Sequence, residues 1–169
     1  MSDEEIKALL ELPKILRTKD AGKLILIPCN DSAFVRFNVE LQAESDYQFT
    51  LCGRLACDDV SDFSAILTVS DRKTGFKENL LRCNGAHEHR NKIEQTLVTT
   101  THVHRLTQRY LDQNRFPSEG YAEATDAYST FDGALEYLMK LAHIHKEGDA
   151  GQMPLFSEKG GDADAFSTS

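Results

Sequence analysis

The stretch FVRFNVELQAESDYQFTLCGRLACDDVSDFSAILTVS, residues 34–70, decides the fold of this chain. Its apolar residues recur at every second position, which is the period of a half-buried β-strand. They form three runs: Val35, Phe37, Val39 and Leu41; Tyr47, Phe49 and Leu51; Phe63, Ala65, Leu67 and Val69. Turn-forming residues separate the runs at 44–46 and 58–62, which predicts an antiparallel meander and disfavours parallel βαβ units.

A helix is predicted on each side of this strand region. Ser2 and Glu5 form a capping box, and Pro13 ends the helical pattern that follows it. An apolar stripe indicates a second helix at 129–146, formed by Phe131, Leu135, Leu138, Met139 and Ala142. The predicted fold class is therefore α+β: an antiparallel, twisted sheet or partly closed barrel with the N-terminal and C-terminal helices packed on it.

Two further strands are predicted near the middle of the chain, and a loop after them. Residues 79–83 and 96–107 have strand-forming composition, the second run being rich in Thr and Val. Residues 114–126 contain Pro117, Ser118 and Gly120, which is typical of a loop. The four cysteines lack a paired C-x-x-C spacing, so we expect buried, reduced thiols.

Length and composition indicate one α+β domain at 1–146. Of the 169 residues, 40% are hydrophobic, which is enough for one ordinary core. Residues 147–169 are rich in Gly, Asp, Ala and Ser, which predicts a disordered acidic tail. No apolar stretch reaches the roughly 20 residues that span a bilayer, and the first residues are acidic where a signal peptide would be basic. We therefore expect a cytoplasmic protein without a membrane partner.

The charge is unevenly distributed along the chain. A net charge of −8 argues against a protein that coats nucleic acid with its whole surface. Residues 71–115, however, contain nine basic and five acidic side chains, a balance of +4. This segment is either an ordinary solvated surface of mixed charge or a local anion-binding surface.

Four of the six histidines fall inside that basic segment, as the pairs His87/His89 and His102/His104. Residues two apart on a strand project from the same face, about 6.6 Å apart along the chain. The cluster suits metal-free acid–base cleavage of a phosphodiester, or a divalent metal held by three imidazoles together with Glu88 or Glu94. It also suits anion binding with Arg82, Arg90 or Arg105, and a set of simply solvated histidines is the fourth possibility.

The order of the motifs resembles a family of small bacterial proteins known as a domain of unknown function. In that family a helix ending in Leu-Pro is followed by a Tyr-Gln strand, a motif of the G-x-x-H-x-N type and an H-x-H strand. The corresponding segments here are Leu12-Pro13, Tyr47-Gln48, 85–91 and 102–104, which together span about residues 2–145. The resemblance implies a site formed by His89, Asn91, His102 and His104. It leaves His87 outside the pattern and brings no reaction with it.

A second resemblance lies in the tail, at Gln152-Met153-Pro154-Leu155-Phe156. The pattern Gln-x-x-Leu-Phe resembles the pentapeptide with which bacterial replication and repair proteins bind the sliding clamp. A flexible segment can present Leu155 and Phe156 to an apolar pocket while Gln152 forms an oriented hydrogen bond.

Two functional hypotheses follow from these observations. The first is a bacterial or phage-type protein that binds or cleaves a phosphodiester or nucleic-acid ligand, with Arg90 and Arg105 neutralising phosphate. Its site residues are His89, Asn91, His102 and His104. The alternative is a non-catalytic interaction protein of a mobile element or defence system that docks through its tail, for example to the sliding clamp. The sequence leaves the metal, any cofactor and the oligomeric state open.

Overall fold

The computed structural model describes residues 1–28, 33–113 and 117–149. Those ranges contain four helices: α1 (Asp3–Glu11), α2 (Thr18–Ala21), α3 (Gln108–Leu111) and α4 (Phe131–Leu141). They also contain eleven strands: β1 (Lys14–Leu16), β2 (Ile27–Pro28), β3 (Phe34–Leu41), β4 (Gln48–Ala56), β5 (Phe63–Ser70), β6 (Lys77–Asn84), β7 (His89–Asn91), β8 (Thr96–Val98), β9 (His102–Arg105), β10 (Tyr121–Ala124) and β11 (Ile144–Lys146).

Seven of the strands form one antiparallel sheet, in the order β10-β9-β6-β5-β4-β3-β2. The central strands β3 to β6 are consecutive in the chain, so the predicted meander is confirmed. The sheet is open, not closed into a barrel. With helices at both ends of the chain, the predicted α+β fold class is confirmed.

One face of the sheet carries the hydrophobic core, because the period of two places alternate residues together. Val39, Leu51 and Leu67 are aligned across β3, β4 and β5 and are almost completely buried. Helix α4 covers this face: the Phe131 ring makes edge contacts with the rings of Phe37 and Phe63, at centroid distances of 6.2 and 6.3 Å. The opposite face of β6 and β9 is therefore left for polar residues.

The capping box predicted for the N-terminal helix is present. The Ser2 hydroxyl accepts a hydrogen bond from the Glu5 amide, 3.2 Å, and the Ser2 amide donates to the Glu5 carboxylate, 2.7 Å. Ile6 and Leu9 are the buried residues of α1. Helix α1 thus begins where the sequence indicates and contributes one apolar face to the core.

The predicted loop at 114–126 is wrong in part, because it contains strand β10. Two other boundaries also differ from prediction. The run 96–107 is split into β8 and β9, and the C-terminal helix ends at Leu141, after which β11 pairs in parallel with β1. His143, with φ of 50°, turns the chain between α4 and β11. Short strands such as these are stabilised by pairing with distant segments, which leaves little local pattern.

Three further predictions concern the cysteines, the membrane and the tail. Cys83 is buried, Cys52 is half-buried and Cys57 is exposed, so the expectation of buried thiols holds only in part. Within the described ranges, every helix is too short or too polar to cross a membrane. The tail motif, with Gln152, Leu155 and Phe156, lies outside the described residues.

Candidate functional site

The second histidine pair lies on the face of the sheet opposite α4. Val103 points into the core, so His102 and His104 project together from the other face. Across the sheet His102 is paired with Asn84, and His104 with Arg82 on β6 and Ala122 on β10. Strand pairing thus places polar residues of β6 beside both imidazoles.

The first histidine pair lies against the second and completes a cluster of four imidazoles. The ring centroid of His89 is 4.5 Å from that of His104 and 5.8 Å from that of His102. The His87 ring is 4.6 Å from His102, and His102 is 4.9 Å from His104. His87, which the family resemblance leaves outside the site, therefore belongs to the cluster geometrically.

Backbone carbonyl groups determine which nitrogen of three rings carries the hydrogen. His102 Nδ1 donates to the Thr100 carbonyl, 2.7 Å, and His104 Nδ1 to the Glu119 carbonyl, 2.8 Å. His89 Nε2 donates to the carbonyl of Gly120, 2.8 Å. Because a carbonyl oxygen only accepts, the other nitrogen of each neutral ring bears a lone pair.

The two buried histidines are neutral at physiological pH. Burial lowers the pKa of His104 to about 3, an effect reinforced by His89, His102 and Arg82 and opposed by the hydrogen bond to Glu119. Burial also lowers the pKa of His102. His104 therefore cannot serve as an imidazolium acid near neutral pH, since general acid catalysis needs a pKa near the working pH, and burial disfavours the same role for His102.

Asn91 holds hairpin β7–β8 against the sheet. Its side-chain amide donates to the carbonyl of Ala122, 2.8 Å, and its carbonyl accepts from the amide of Ala122, 2.8 Å. The same Nδ2 also donates to the Thr96 hydroxyl, 3.0 Å. Asn91 therefore pairs with edge strand β10 much as another strand would, and its polar atoms are occupied in positioning His89.

An open cleft of about 340 Å³ lies over the histidines. His87, His89 and His104 line it, together with Asn84, Glu88 and Glu119. Three basic side chains also line the cleft: Arg82, Arg90 and Lys92. Arg82 is ion-paired with Glu119, with 2.7 Å between Nη2 and Oε1. The cleft thus combines imidazole groups with a cationic rim.

Arg105, predicted to neutralise phosphate, is not brought to this cleft. It follows His104 directly on β9, so it projects from the opposite face. There its Nε lies 3.2 Å from the carboxylate of Glu123. The strand period alone predicts that Arg105 projects away from His104. That Arg82 and Lys92 line the cleft, by contrast, depends on the strand register and on where the β7–β8 hairpin packs.

The acidic residues considered as metal ligands lie in different places. Glu88 lines the cleft, but Glu94 is engaged elsewhere, with Arg109 Nη2 at 2.7 Å and the Tyr110 hydroxyl at 2.8 Å. Across residues 1–28, 33–113 and 117–149, no three His, Cys, Asp or Glu side chains are placed so that they could hold a metal ion.

Fold and site together define an α+β protein with a histidine-lined cleft on the polar face of an open antiparallel sheet. The chain matches no protein-family model, no curated protein and no solved structure. The two resemblances noted in the sequence therefore stay predictions.

Proposed function

We propose that the cleft binds the phosphodiester backbone of a nucleic acid and is the place where that backbone is cleaved. The observation that carries this proposal is the placement of Arg82, Arg90 and Lys92 around a cleft lined by imidazoles. Arginine and lysine supply the charge-assisted hydrogen bonds that phosphate oxygens accept, and imidazole supplies proton transfer near neutral pH.

Arg90 and Lys92 are the side chains available for a phosphate. Both are exposed, and within the described part of the chain neither side chain has an ion pair or hydrogen bond. Arg82 is already paired with Glu119, so its charge is partly neutralised. Because the net charge of the protein is −8, binding of nucleic acid depends on a local basic rim such as this one.

In this proposal His87 and His89, the two histidines at the mouth of the cleft, carry out proton transfer. His87 is exposed and His89 half-buried, whereas His102 and His104 are buried and neutral. A phosphodiester cleavage needs one group to take a proton from the attacking oxygen and another to donate one to the leaving oxygen. His87 and His89 perform these roles, and the buried pair holds them in place through ring contacts.

Binding is tested by fluorescence anisotropy with labelled single-stranded RNA, single-stranded DNA and duplex DNA. The double variant Arg90→Ala/Lys92→Ala is compared with Arg72→Ala/Lys73→Ala, which removes the same charge from the turn between β5 and β6. We expect the first variant to bind at least about tenfold more weakly. Its affinity should also depend less steeply on salt concentration, by the equivalent of about two released ions. An equal effect of the two variants would show that binding is not localised at the cleft.

Cleavage is tested with the double variant His102→Ala/His104→Ala and with His87→Ala. We expect neither variant to cleave the same oligonucleotides. The double variant lacks the buried rings that hold His87 and His89 in place, and His87→Ala lacks a proton-transfer group. The proposal fails if a folded double variant behaves like the parent in every binding and cleavage assay.

The alternative function is a non-catalytic interaction protein that docks through its tail. The observation in its favour is the Gln-x-x-Leu-Phe pattern at 152–156. A pull-down with purified bacterial sliding clamp compares the full chain with Leu155→Ala/Phe156→Ala. Under this function the variant recovers far less clamp, because it lacks the apolar anchors of the peptide. Equal recovery by both chains would exclude it.

A further inference from the structure

The sheet face that carries the histidines continues beyond the cleft as a solvent-accessible surface. Helix α4 packs on the other face, and the residues of β3, β4 and β5 that alternate with the core project from this one. Strand register aligns five residues in one row that leads to the cleft: Asn38, Cys52, Ile66, Arg82 and His104. Asn38 is exposed, and the three residues between it and His104 are half-buried. The row therefore forms an accessible path across the sheet.

Two arginines and an aromatic ring lie at the far end of this path. Arg36 and Arg54 are cross-strand partners on β3 and β4, in the row next to Asn38 and Cys52. Both guanidinium groups lie against the ring of Phe34, with their central carbons 5.8 Å (Arg36) and 4.1 Å (Arg54) from its centroid. Unpaired bases stack on aromatic rings and on guanidinium planes. This group of three side chains, here called the Phe34 platform, therefore combines flat stacking surfaces with positive charge.

The charge of the surface suits a polyanion. The row that leads from the platform to the histidines contains no acidic residue, and its members are Arg36, Arg54, Ser64, Asn84 and His102. Arg36 is exposed, so its charge is accessible. Arg54 is partly neutralised by Asp62, whose Oδ1 lies 2.6 Å from Arg54 Nη2. Glu40 begins the row on the far side of Asn38. In a chain of net charge −8, such a local basic surface favours phosphate groups over a cationic partner.

The length of the path suits a short stretch of single strand. The strands β3, β4, β5, β6 and β9 lie side by side between Asn38 and His104. Neighbouring strands are about 4.8 Å apart, so the path measures about 19 Å. An extended single strand covers this length with a few nucleotides and can turn its bases toward the protein. In a duplex the bases stack on each other, so their faces are not available to the platform.

We propose that the ligand of the cleft is a single-stranded nucleic acid that runs across the sheet from the histidines to the Phe34 platform. Its phosphates contact Arg90 and Lys92 at the cleft, and a base a few nucleotides away stacks on the platform. Ile66, which is half-buried midway along the path, packs against the intervening bases. RNA and DNA both supply this chemistry of unpaired bases joined by phosphodiesters. The inference rests on the proposed function, since it names the substrate class of the same cleft.

Binding is measured by fluorescence anisotropy with single-stranded RNA, single-stranded DNA and a duplex, each of about 12 nucleotides per strand. The variant Phe34→Leu/Arg36→Gln is compared with Phe76→Leu/Arg72→Gln, which removes a half-buried ring and an exposed charge from the turn between β5 and β6. We expect the first variant to bind single strands at least about fivefold more weakly and to change duplex binding less. The second should bind like the parent. The RNA and DNA arms identify which of the two strands is the ligand.

A second measurement uses the parent chain, so it stands even if a variant fails to fold. Iodouracil is placed at successive positions of the single strand, and its photocrosslinks are mapped by mass spectrometry of the peptides. We expect one position to crosslink to Phe34 and a position a few nucleotides away to crosslink to residues 87–92, because the two ends of the path lie about 19 Å apart.

Three results would overturn this surface. These are equal affinity of the parent for duplex and single strand, equal weakening of the two by Phe34→Leu/Arg36→Gln, and crosslinks confined to the cleft. The two proposals fail separately. If Arg90→Ala/Lys92→Ala weakens binding and the platform variant does not, the cleft stands and the surface is wrong. If only the platform variant weakens binding, the cleft is not the phosphate site and the proposed function is wrong.

Discussion

At the residue scale, Lys14 is a fully buried lysine that joins the ends of two helices. Its Nζ lies 2.7 to 3.1 Å from the carbonyl oxygens of Leu9, Leu10 and Leu12, and 3.0 Å from that of Ala142. It also lies over the Phe49 ring. Burial lowers the pKa of this amine to about 8. The ammonium group satisfies carbonyl groups that a helix end leaves unpaired.

Lys14→Met should therefore destabilise the fold strongly. Methionine retains most of the side-chain volume but leaves the buried carbonyl groups of Leu9 and Ala142 without a donor. We expect the free energy of unfolding to fall by about 2–4 kcal/mol, measured by urea denaturation. Lys7→Met, at an exposed position of α1, is the control and should change the free energy of unfolding by less than about 0.5 kcal/mol. Equal effects would contradict this role of Lys14.

Because of His104, the free energy of unfolding should decrease as the pH falls. Above pH 6.5 the ring is neutral in both the folded and the unfolded chain. As the pH falls below 6.5, His104 takes up a proton in the unfolded chain but stays neutral in the folded chain until about pH 3. The free energy of unfolding therefore decreases between these two pH values. The slope expected from this histidine is about 0.7 kcal/mol per pH unit at pH 6.5 and approaches about 1.4 kcal/mol per pH unit near pH 5.

The measurement is urea denaturation with chelator present, at several pH values from about 7 to 5. His104→Gln removes the titrating ring, so its stability should depend less steeply on pH than that of the parent. Identical slopes for the two chains would show that His104 is not held neutral by the fold.

At the scale of elements, hairpin β7–β8 is the part that turns a polar sheet face into a cleft. It supplies His89, and Arg90 follows on the same strand. Its attachment to the main sheet includes the two hydrogen bonds between Asn91 and Ala122 on the edge strand β10. The hairpin also covers part of that edge, where unpaired backbone groups would otherwise invite pairing with another chain.

Asn91→Leu should release this hairpin while leaving the main sheet folded. Leucine has a similar volume but forms no hydrogen bond, so the Ala122 amide and carbonyl lose their partner. We expect faster amide hydrogen exchange at residues 89–98 and 122, and a loss of about 1–3 kcal/mol in the free energy of unfolding. Gln108→Leu, which replaces an exposed amide on α3, should leave exchange in the hairpin unchanged. Unchanged exchange in Asn91→Leu would contradict the attachment.

At the scale of the whole molecule, the core residues that the structure describes all precede the predicted tail. The buried apolar residues of the main cluster lie between Ile6 and Ile144. Near the end of the described chain, Glu147 is hydrogen-bonded to the end of β1 and to a residue that follows it: its amide donates to the Leu16 carbonyl, and its carboxylate accepts from the Thr18 amide. All parts of the described core are thus present in residues 1–149.

A chain of residues 1–149 should therefore fold like the full chain. We expect its free energy of unfolding to agree with that of the full chain within about 0.5 kcal/mol, because residues 150–169 add few apolar groups to a core. Chemical denaturation of the two chains side by side measures this. A loss above about 1 kcal/mol would show that the tail contributes to the fold.

The sequence alone determined the antiparallel meander, the capped N-terminal helix and the shared face of His102 and His104. These features follow from short-range periods, which act over a few residues and are visible without any partner. The same period places Arg105 on the opposite face. The sequence therefore already contained the information that separates Arg105 from His102 and His104.

Only the tertiary structure decided which side chains meet. The pairing of Arg82 with His104, the approach of His87 and His89, and the existence of β10 all depend on strand register and on contacts between distant segments. Register is fixed by the combined packing of the whole sheet, and a shift of one residue would turn the histidines to the other face. The four imidazoles became one cluster for this reason, although the sequence could only show that they were near one another along the chain.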